Sequence, residues 1–191
     1  MKNIFFGFLL LITFVINASS NEIISEIENN WNDINSMSGT FKQLDSDGNY
    51  SDGKFYFLKP YQSKFDYDNK PENIITNKSL LRIVDKDGYQ LESYSIGNNI
   101  IKKLLSTNLD IEKEFDVSSV GIKENAYTFL FKPKNKNTDV RAKLFFDINT
   151  FDLKKWEIYD DFDNKTVLEF TKIKKNIFIS QNLFVVKYRN N

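Results

Sequence analysis

The most restrictive feature of this sequence is a repeated alternation of apolar and polar residues with a period of two. Phe55 and Phe57 stand at alternate positions of one such run, and similar short runs recur along the chain. A period of two places successive side chains on opposite faces of a β-strand. The dipeptides Asp47-Gly48, Asp52-Gly53 and Asp87-Gly88 punctuate these runs and are typical of hairpin turns. The pattern therefore predicts antiparallel strands joined by short turns.

The number of runs predicts the shape of the sheet. About ten strands can be counted, and open sheets of that size tend to curl or close. The sequence lacks regular helices between the strands, which a parallel sheet would need. We therefore expect a mainly β (α+β) fold: an incomplete, strongly curved antiparallel β-barrel of about ten strands.

A few helical segments interrupt this pattern. Glu22–Asn35 has its apolar residues at helical spacing, Ile100–Leu105 forms an apolar turn, and Thr107 is a candidate N-cap for a helix over Leu109–Phe115. These segments are predicted to cover one face of the sheet as a lid. The lid residues are Ile23, Ile27, Trp31, Ile100, Ile101, Leu104 and Leu105.

The inward rows of the predicted sheet are rich in aromatic residues. Two interpretations follow: an ordinary aromatic core, or an apolar cavity that takes a hydrophobic ligand beneath the lid. The residues predicted to face this interior are Phe41, Phe55, Phe57, Phe65, Ile83, Phe129, Phe131, Trp156 and Phe170.

The composition excludes several kinds of chemistry. There is no His and no Cys, so zinc-thiolate sites, disulfides and His-based triads are excluded. Lys+Arg and Asp+Glu both number 26, and this balance argues against a nucleic-acid partner. The segment Asp45–Asn49 begins like a calcium loop, but Tyr50 and Tyr56 stand where that loop needs Gly and Glu. No metal or cofactor is predicted, and a hydrolase would have to rely on a pair of carboxylates.

The first twenty residues have the pattern of a secretory signal peptide. Lys2 precedes a thirteen-residue apolar run, Ile4–Ile16, and Ala18 and Ser20 follow at the spacing a signal peptidase accepts. As a helix the run would rise ~20 Å, less than the ~30 Å hydrocarbon core of a bilayer. We expect residues 1–20 to be cleaved and 21–191 to form a single exported domain. An uncleaved anchor is the alternative.

Three stretches together resemble the LolA family, the periplasmic outer-membrane lipoprotein carrier proteins. Ser38, Phe41 and Gln43 fit the S-x-x-F-x-Q segment of the family. Two further stretches fit a glycine-started hairpin and a late L-x-x-W…D…T strand pair. They comprise Gly53–Pro60 with Phe65–Tyr67, and Leu153–Trp156 with Asp160 and Thr166, before a closing Leu183-Phe184.

The resemblance implies a function without catalysis. Members of this family carry acylated lipoproteins from an inner-membrane lipoprotein-releasing transporter to an outer-membrane receptor or to the outer membrane itself. The chain is then expected to be a monomer in the periplasm. An envelope lipid-binding or lipid-sensing protein of the same fold is the alternative, and a carboxylate-based hydrolase is a further one.

The sequence departs from the family at two positions. Lys59 stands before Pro60 where the family has Arg, and Asn77-Lys78 replaces an Asp-Gly turn. The resemblance implies that Lys59 is the latch of the lid. Lys offers one flexible ammonium instead of the planar fork of Arg, so this latch is expected to be looser.

Overall fold

Eleven strands form one antiparallel sheet in the computed structural model, which describes residues 20–96, 100–134 and 139–189. The strands are β1 (Ser36–Leu44), β2 (Tyr50–Leu58), β3 (Gln62–Tyr67), β4 (Glu72–Asn77), β5 (Leu80–Asp85), β6 (Gln90–Ser95), β7 (Phe115–Lys123), β8 (Ala126–Pro133), β9 (Arg141–Asp147), β10 (Leu153–Tyr159) and β11 (Lys165–Lys175). Their order across the sheet is β6-β5-β4-β3-β2-β1-β11-β10-β9-β8-β7. The predicted antiparallel fold is confirmed.

The sheet is strongly curved and open. Strands β3 and β10 are four neighbours apart, which in a flat sheet would separate them by about 19 Å. Yet the ring centroids of Phe65 on β3 and Trp156 on β10 lie 6.4 Å apart. The sheet therefore folds around its own aromatic face, while β6 and β7 form its two edges.

Three short α-helices accompany the sheet: α1 (Ser20–Asn32), α2 (Ile100–Leu104) and α3 (Ile111–Glu114). The predicted end of the first helix at Asn35 was wrong, because α1 ends at Asn32. The predicted cap at Thr107 was wrong as well. The N-cap of α3 is Asp110, whose side chain accepts a hydrogen bond from the backbone N–H of Lys113 at 2.9 Å.

Two of the three predicted turn dipeptides are turns. Gly48 and Gly88 have φ values of 85° and 87° in the loops after β1 and β5. The prediction for Asp52-Gly53 was wrong, because both residues lie within β2. Gly53 serves close packing instead: a Cβ there would lie 2.1 Å from the carbonyl oxygen of Asp66 on β3.

The two faces of the sheet carry separate cores. The concave face holds the large aromatic core, covered by the helices. A smaller core of Ile75, Val84, Ile179 and Phe184 lies on the convex face. It is covered by the segment after β11, which includes a 3₁₀-helix over Gln181–Phe184. This second core was not predicted from the sequence.

The predicted signal peptide lies, but for Ser20, outside the described residues. Within the described part of the chain, no helix is long and apolar enough to cross a bilayer.

Candidate functional site

Phe57 lies at the centre of an aromatic cluster on the concave face. Its ring centroid is 5.0 Å from that of Phe55, 5.7 Å from Phe65, and 6.1 Å from both Trp156 and Phe170. Several of these pairs have the edge-to-face geometry that aromatic rings favour. The alternation of β2 explains the arrangement, since Phe55 and Phe57 point inward. The cluster is a continuous apolar surface built from distant parts of the chain.

The structure brings together eight of the nine residues predicted to face the interior. These are Phe41, Phe55, Phe57, Phe65, Phe129, Phe131, Trp156 and Phe170, all buried in one core. The ninth, Ile83, is half-buried and is not part of this core. Ile83 lies on β5, where it pairs with Ile74 of β4. Because β5 is next to the exposed edge strand β6, Ile83 lies at the margin of the concave face.

The predicted lid residues pack over this cluster. Ile27, Trp31, Ile100, Leu104 and Leu105 are buried in the same core. Ile23 and Ile101 are partly buried against it. The lid and the aromatic rows of the sheet therefore form one apolar body.

Trp31 joins the two helices of the lid. Its indole Nε1–H donates a hydrogen bond of 2.7 Å to the carbonyl of Leu104 at the end of α2. The backbone N–H of Tyr61, just before β3, donates to the carbonyl of Leu105 at 2.8 Å. Polar contacts thus connect α1 to α2, and α2 to the sheet, over an otherwise apolar interface.

Lys59 connects the sheet directly to α1. Its Nζ donates a hydrogen bond of 2.6 Å to the carbonyl of Trp31, in the last turn of α1. The ammonium also lies 5.5 Å from the centroid of the Trp31 ring, within cation–π range. The C-terminal end of a helix favours a positive charge. The contact is where the latch hypothesis places it, and the latch role stays a prediction.

The environment of Lys59 disfavours its charged form. Burial lowers the pKa of the ammonium from its ordinary 10.5 to about 8, and the Asp33 carboxylate partly opposes this effect. The closed lid therefore holds a cation that would be better solvated if the lid moved away.

The depressed pKa predicts a rise in stability with pH. From about pH 8 to about pH 10 the folded protein releases the Lys59 proton, whereas the unfolded chain keeps it. The unfolded state then binds more protons, so the free energy of unfolding increases with pH. Urea unfolding at about pH 7.5 and about pH 9.5 measures this increase. In Lys59→Met the contribution should vanish, and an equal increase in that variant would contradict the assignment.

Tyr67 limits the pH range of that experiment. Burial raises the pKa of its phenol to about 12. Above about pH 10 the unfolded chain loses this proton first, so stability falls with further increase in pH. The contribution of Lys59 is therefore best measured below pH 10.

Two small cavities lie in the closed interior that the described residues enclose. A cavity of about 10 Å³ lies beneath Lys59 and Trp31, and another of about 10 Å³ lies between the helices and β8–β10. Each has room for roughly one water molecule. In this state the structure shows the filled aromatic core, and a hydrophobic chain could enter only if the lid moved.

The comparisons with known proteins agree with this architecture. Residues 32–187 match the family described as "Outer membrane lipoprotein carrier protein LolA". The chain belongs to the LolA family. This confirms the resemblance found in the sequence.

Similar proteins match over most of the chain. An uncharacterized protein of Rickettsia prowazekii is 32% identical over 174 residues, 91% of this chain and 79% of that protein. The outer-membrane lipoprotein carrier protein of Francisella tularensis is 30% identical over 203 residues, 100% of this chain and 95% of its own. A putative outer membrane lipoprotein-sorting protein domain from Vibrio parahaemolyticus superposes with a TM-score of 0.51. It covers 85% of this chain and 94% of that chain at 10% identity, which supports the fold alone.

Part of the LolA-like interior was not predicted from the sequence. The second cavity is lined largely by residues that were not predicted to face it: Leu109, Ile111, Leu144, Phe146 and Leu153. Ala142, Leu144 and Phe146 do alternate along β9 and could have indicated an inward row. The residues around α3 belong to a short segment without a clear period.

The described residues contain no group of three or more acidic side chains placed to hold a metal ion. Asp45, in the calcium-like segment, instead accepts hydrogen bonds from the backbone N–H groups of Asp47 and Asn49. The bond from Asn49 is the main cause that holds the pKa of Asp45 below its ordinary value. This carboxylate is thus occupied in stabilising its own turn.

Proposed function

We propose that this protein is a periplasmic chaperone that binds the acyl chains of lipoproteins and carries them from the inner to the outer membrane. The observation that carries the proposal is the aromatic concave face closed by a lid that polar contacts hold at its rim. Membership of the LolA family supports it. The partners would be an inner-membrane transporter that releases lipoproteins, and a receptor or the outer membrane itself.

The physical need for such a carrier follows from the cost of exposing acyl chains. Burial of each methylene contributes about 0.8 kcal/mol, so a sixteen-carbon chain in water costs on the order of 12 kcal/mol. The filled interior suits release as well as binding. When cargo leaves, the aromatic rings and the lid can pack together again and recover buried area.

Native mass spectrometry of protein purified from its own periplasm tests the function. A carrier should be recovered in part with a mass increase equal to an acylated polypeptide. Free phospholipid as the sole adduct would favour the lipid-binding alternative, and would contradict lipoprotein transport.

The role of Lys59 is tested by transfer of cargo. Lys59→Leu removes the hydrogen bond to the carbonyl of Trp31, which the protein would regain on closing after release. A charge-assisted hydrogen bond contributes about 1.5–3 kcal/mol, and the cost of burying the ammonium offsets part of this gain, so we expect transfer to fall by about tenfold or less at equal loading. The measurement is movement of bound lipoprotein from the purified carrier to acceptor membranes.

Lys59→Arg is the matched control, because a guanidinium can donate to the same carbonyl. It should transfer lipoprotein at least as well as the wild type. Equal transfer by Lys59→Leu and by the wild type would contradict the role of Lys59 as a latch.

A further inference from the structure

A groove of about 340 Å³ lies on the convex face of the sheet, opposite the aromatic cluster. Its floor contains Gln62, Asn77 and Arg82, from β3, β4 and β5. Gln62 pairs with Asn77, and Asn77 with Leu80, two residues before Arg82. This register places all three floor residues on the convex face. The volume is in the range of small-molecule sites.

The C-terminal segment forms the other wall of the groove. Gln181, Asn182 and Tyr188 contribute polar side chains, and Phe184 and two valines contribute an apolar surface. Phe184 is buried in the small convex core, which anchors this wall to the sheet. The groove therefore has two sides built from distant parts of the chain.

Arg82 has a buried donor without a partner. Its Nε is shielded from solvent and has no hydrogen-bond partner among the described residues. A buried N–H without an acceptor is costly, and more so on a charged group. Arg82 is also the one charged residue among the described residues that line the groove.

The remaining polar lining is neutral and rich in amide groups. Each Asn or Gln can donate two N–H groups, and the phenol of Tyr188 can donate one O–H. The two oxygens of a carboxylate can be satisfied by the guanidinium alone in a bidentate pair. A phosphate group directs its oxygens tetrahedrally, so it can meet Arg82 and amides on the opposite wall together.

We infer that this groove binds a phosphate group through Arg82, with Asn77 and Asn182 as further donors. The ligand class is a small phosphate ester of the size of glycerol phosphate, either free or as the headgroup of a phospholipid. The site shares no residue with the aromatic cluster or with the Lys59 contact. Phosphate binding at this groove can therefore be tested separately from lipoprotein transport.

Calorimetric titration of the purified protein with sn-glycerol 3-phosphate tests the inference. We expect saturable binding that weakens about tenfold or more in Arg82→Gln, and less in Arg82→Lys, which keeps the charge but loses the fork. Arg141→Gln is the matched control, because Arg141 lies on β9 and pairs with the exposed Asp163. It should bind like the wild type.

Asn182→Asp tests the same site while Arg82 is kept. The new carboxylate would lie in the same groove and compete for the guanidinium, so glycerol phosphate binding should be lost while thermal stability is kept. Binding unaffected by both Arg82→Gln and Asn182→Asp would overturn the inference, as would no binding by the wild type to either glycerol phosphate or vesicles. Acetate that binds as tightly as glycerol phosphate would overturn the assignment of phosphate.

Sedimentation with phosphatidylglycerol vesicles distinguishes the two sources of the phosphate. Binding to vesicles that Arg82→Gln abolishes would identify a lipid headgroup. Binding to glycerol phosphate without binding to vesicles would identify a free ester. Each result supports the phosphate site.

Discussion

Replacement of Phe57 by Asp is expected to lower the free energy of unfolding by about 5 kcal/mol or more. Loss of a buried Phe side chain alone costs about 3–5 kcal/mol, and burial of an unpaired carboxylate adds several more. Phe57 is 3% exposed and contacts four other aromatic rings. The Trp156 indole N–H and the Ser63 hydroxyl are buried nearby without a partner, but neither carries a positive charge that would compensate the carboxylate. Urea unfolding measures the change.

The same replacement should abolish binding of a fluorescent fatty-acyl probe, because a carboxylate beside acyl chains must be desolvated. Phe57→Leu separates folding from binding, since it keeps an apolar side chain and should still bind the probe. Tyr50→Asp is the control on the same strand, at an exposed position of the convex face, and should change stability little. A folded Phe57→Asp protein that binds the probe like the wild type would place Phe57 outside the acyl site.

Replacement of Gly53 by Ala should destabilise the protein by about 3 kcal/mol. The added Cβ would meet backbone atoms of β3, with the Asp66 carbonyl oxygen at 2.1 Å and the Tyr67 Cα at 2.9 Å. Backbone atoms in a paired strand cannot rotate away as a side chain can, so β2 and β3 must separate locally. Such overpacking typically costs about 1–3 kcal/mol, and here it falls in the middle of a ladder.

Gly48→Asn is the matched control for this experiment. Gly48 has a positive φ of 85° but nothing within 4 Å of an added Cβ, and Asn tolerates left-handed backbone better than most residues. Its cost should stay below about 1 kcal/mol. If Gly53→Ala unfolds at the same urea concentration as the wild type, the close approach of β2 and β3 is not a constraint on stability.

Local alternation was sufficient to predict the strands that are buried on one face. In β2 the inward Phe55 and Phe57 alternate with Lys54 and Tyr56, so the pattern gives both the strand and its orientation. In strand β9 the inward Ala142, Leu144 and Phe146 also alternate, but the pattern is obscured because Phe145 is buried on the opposite face from Leu144. The Lys155 ammonium lies 4.1 Å from the ring centroid of Phe145 and helps to cover it. No local pattern reveals such a cover.

The sequence was sufficient to predict many of the residues that form the candidate site, but not which of them are in contact. The aromatic residues of the interior follow from period two, whereas the bond between Lys59 and Trp31 joins residues 28 positions apart. The resemblance to the LolA family suggested Lys59, and nothing in its own neighbourhood in the sequence did so. The groove around Arg82 was not predicted, because its second wall is an aperiodic segment at the end of the chain.

The open order of the sheet determines how the interior can gain volume. The described strands make ten pairings, which run in order from one edge strand, β6, to the other, β7, and none of them joins β6 to β7. These two edge strands are connected along the chain by the segment that carries α2 and α3. Moving β6 away from β7 would therefore break no ladder of backbone hydrogen bonds. Expansion would cost side-chain packing and a few contacts of the lid. Under the proposed function, the volume of the interior could therefore increase gradually with the number and length of the acyl chains.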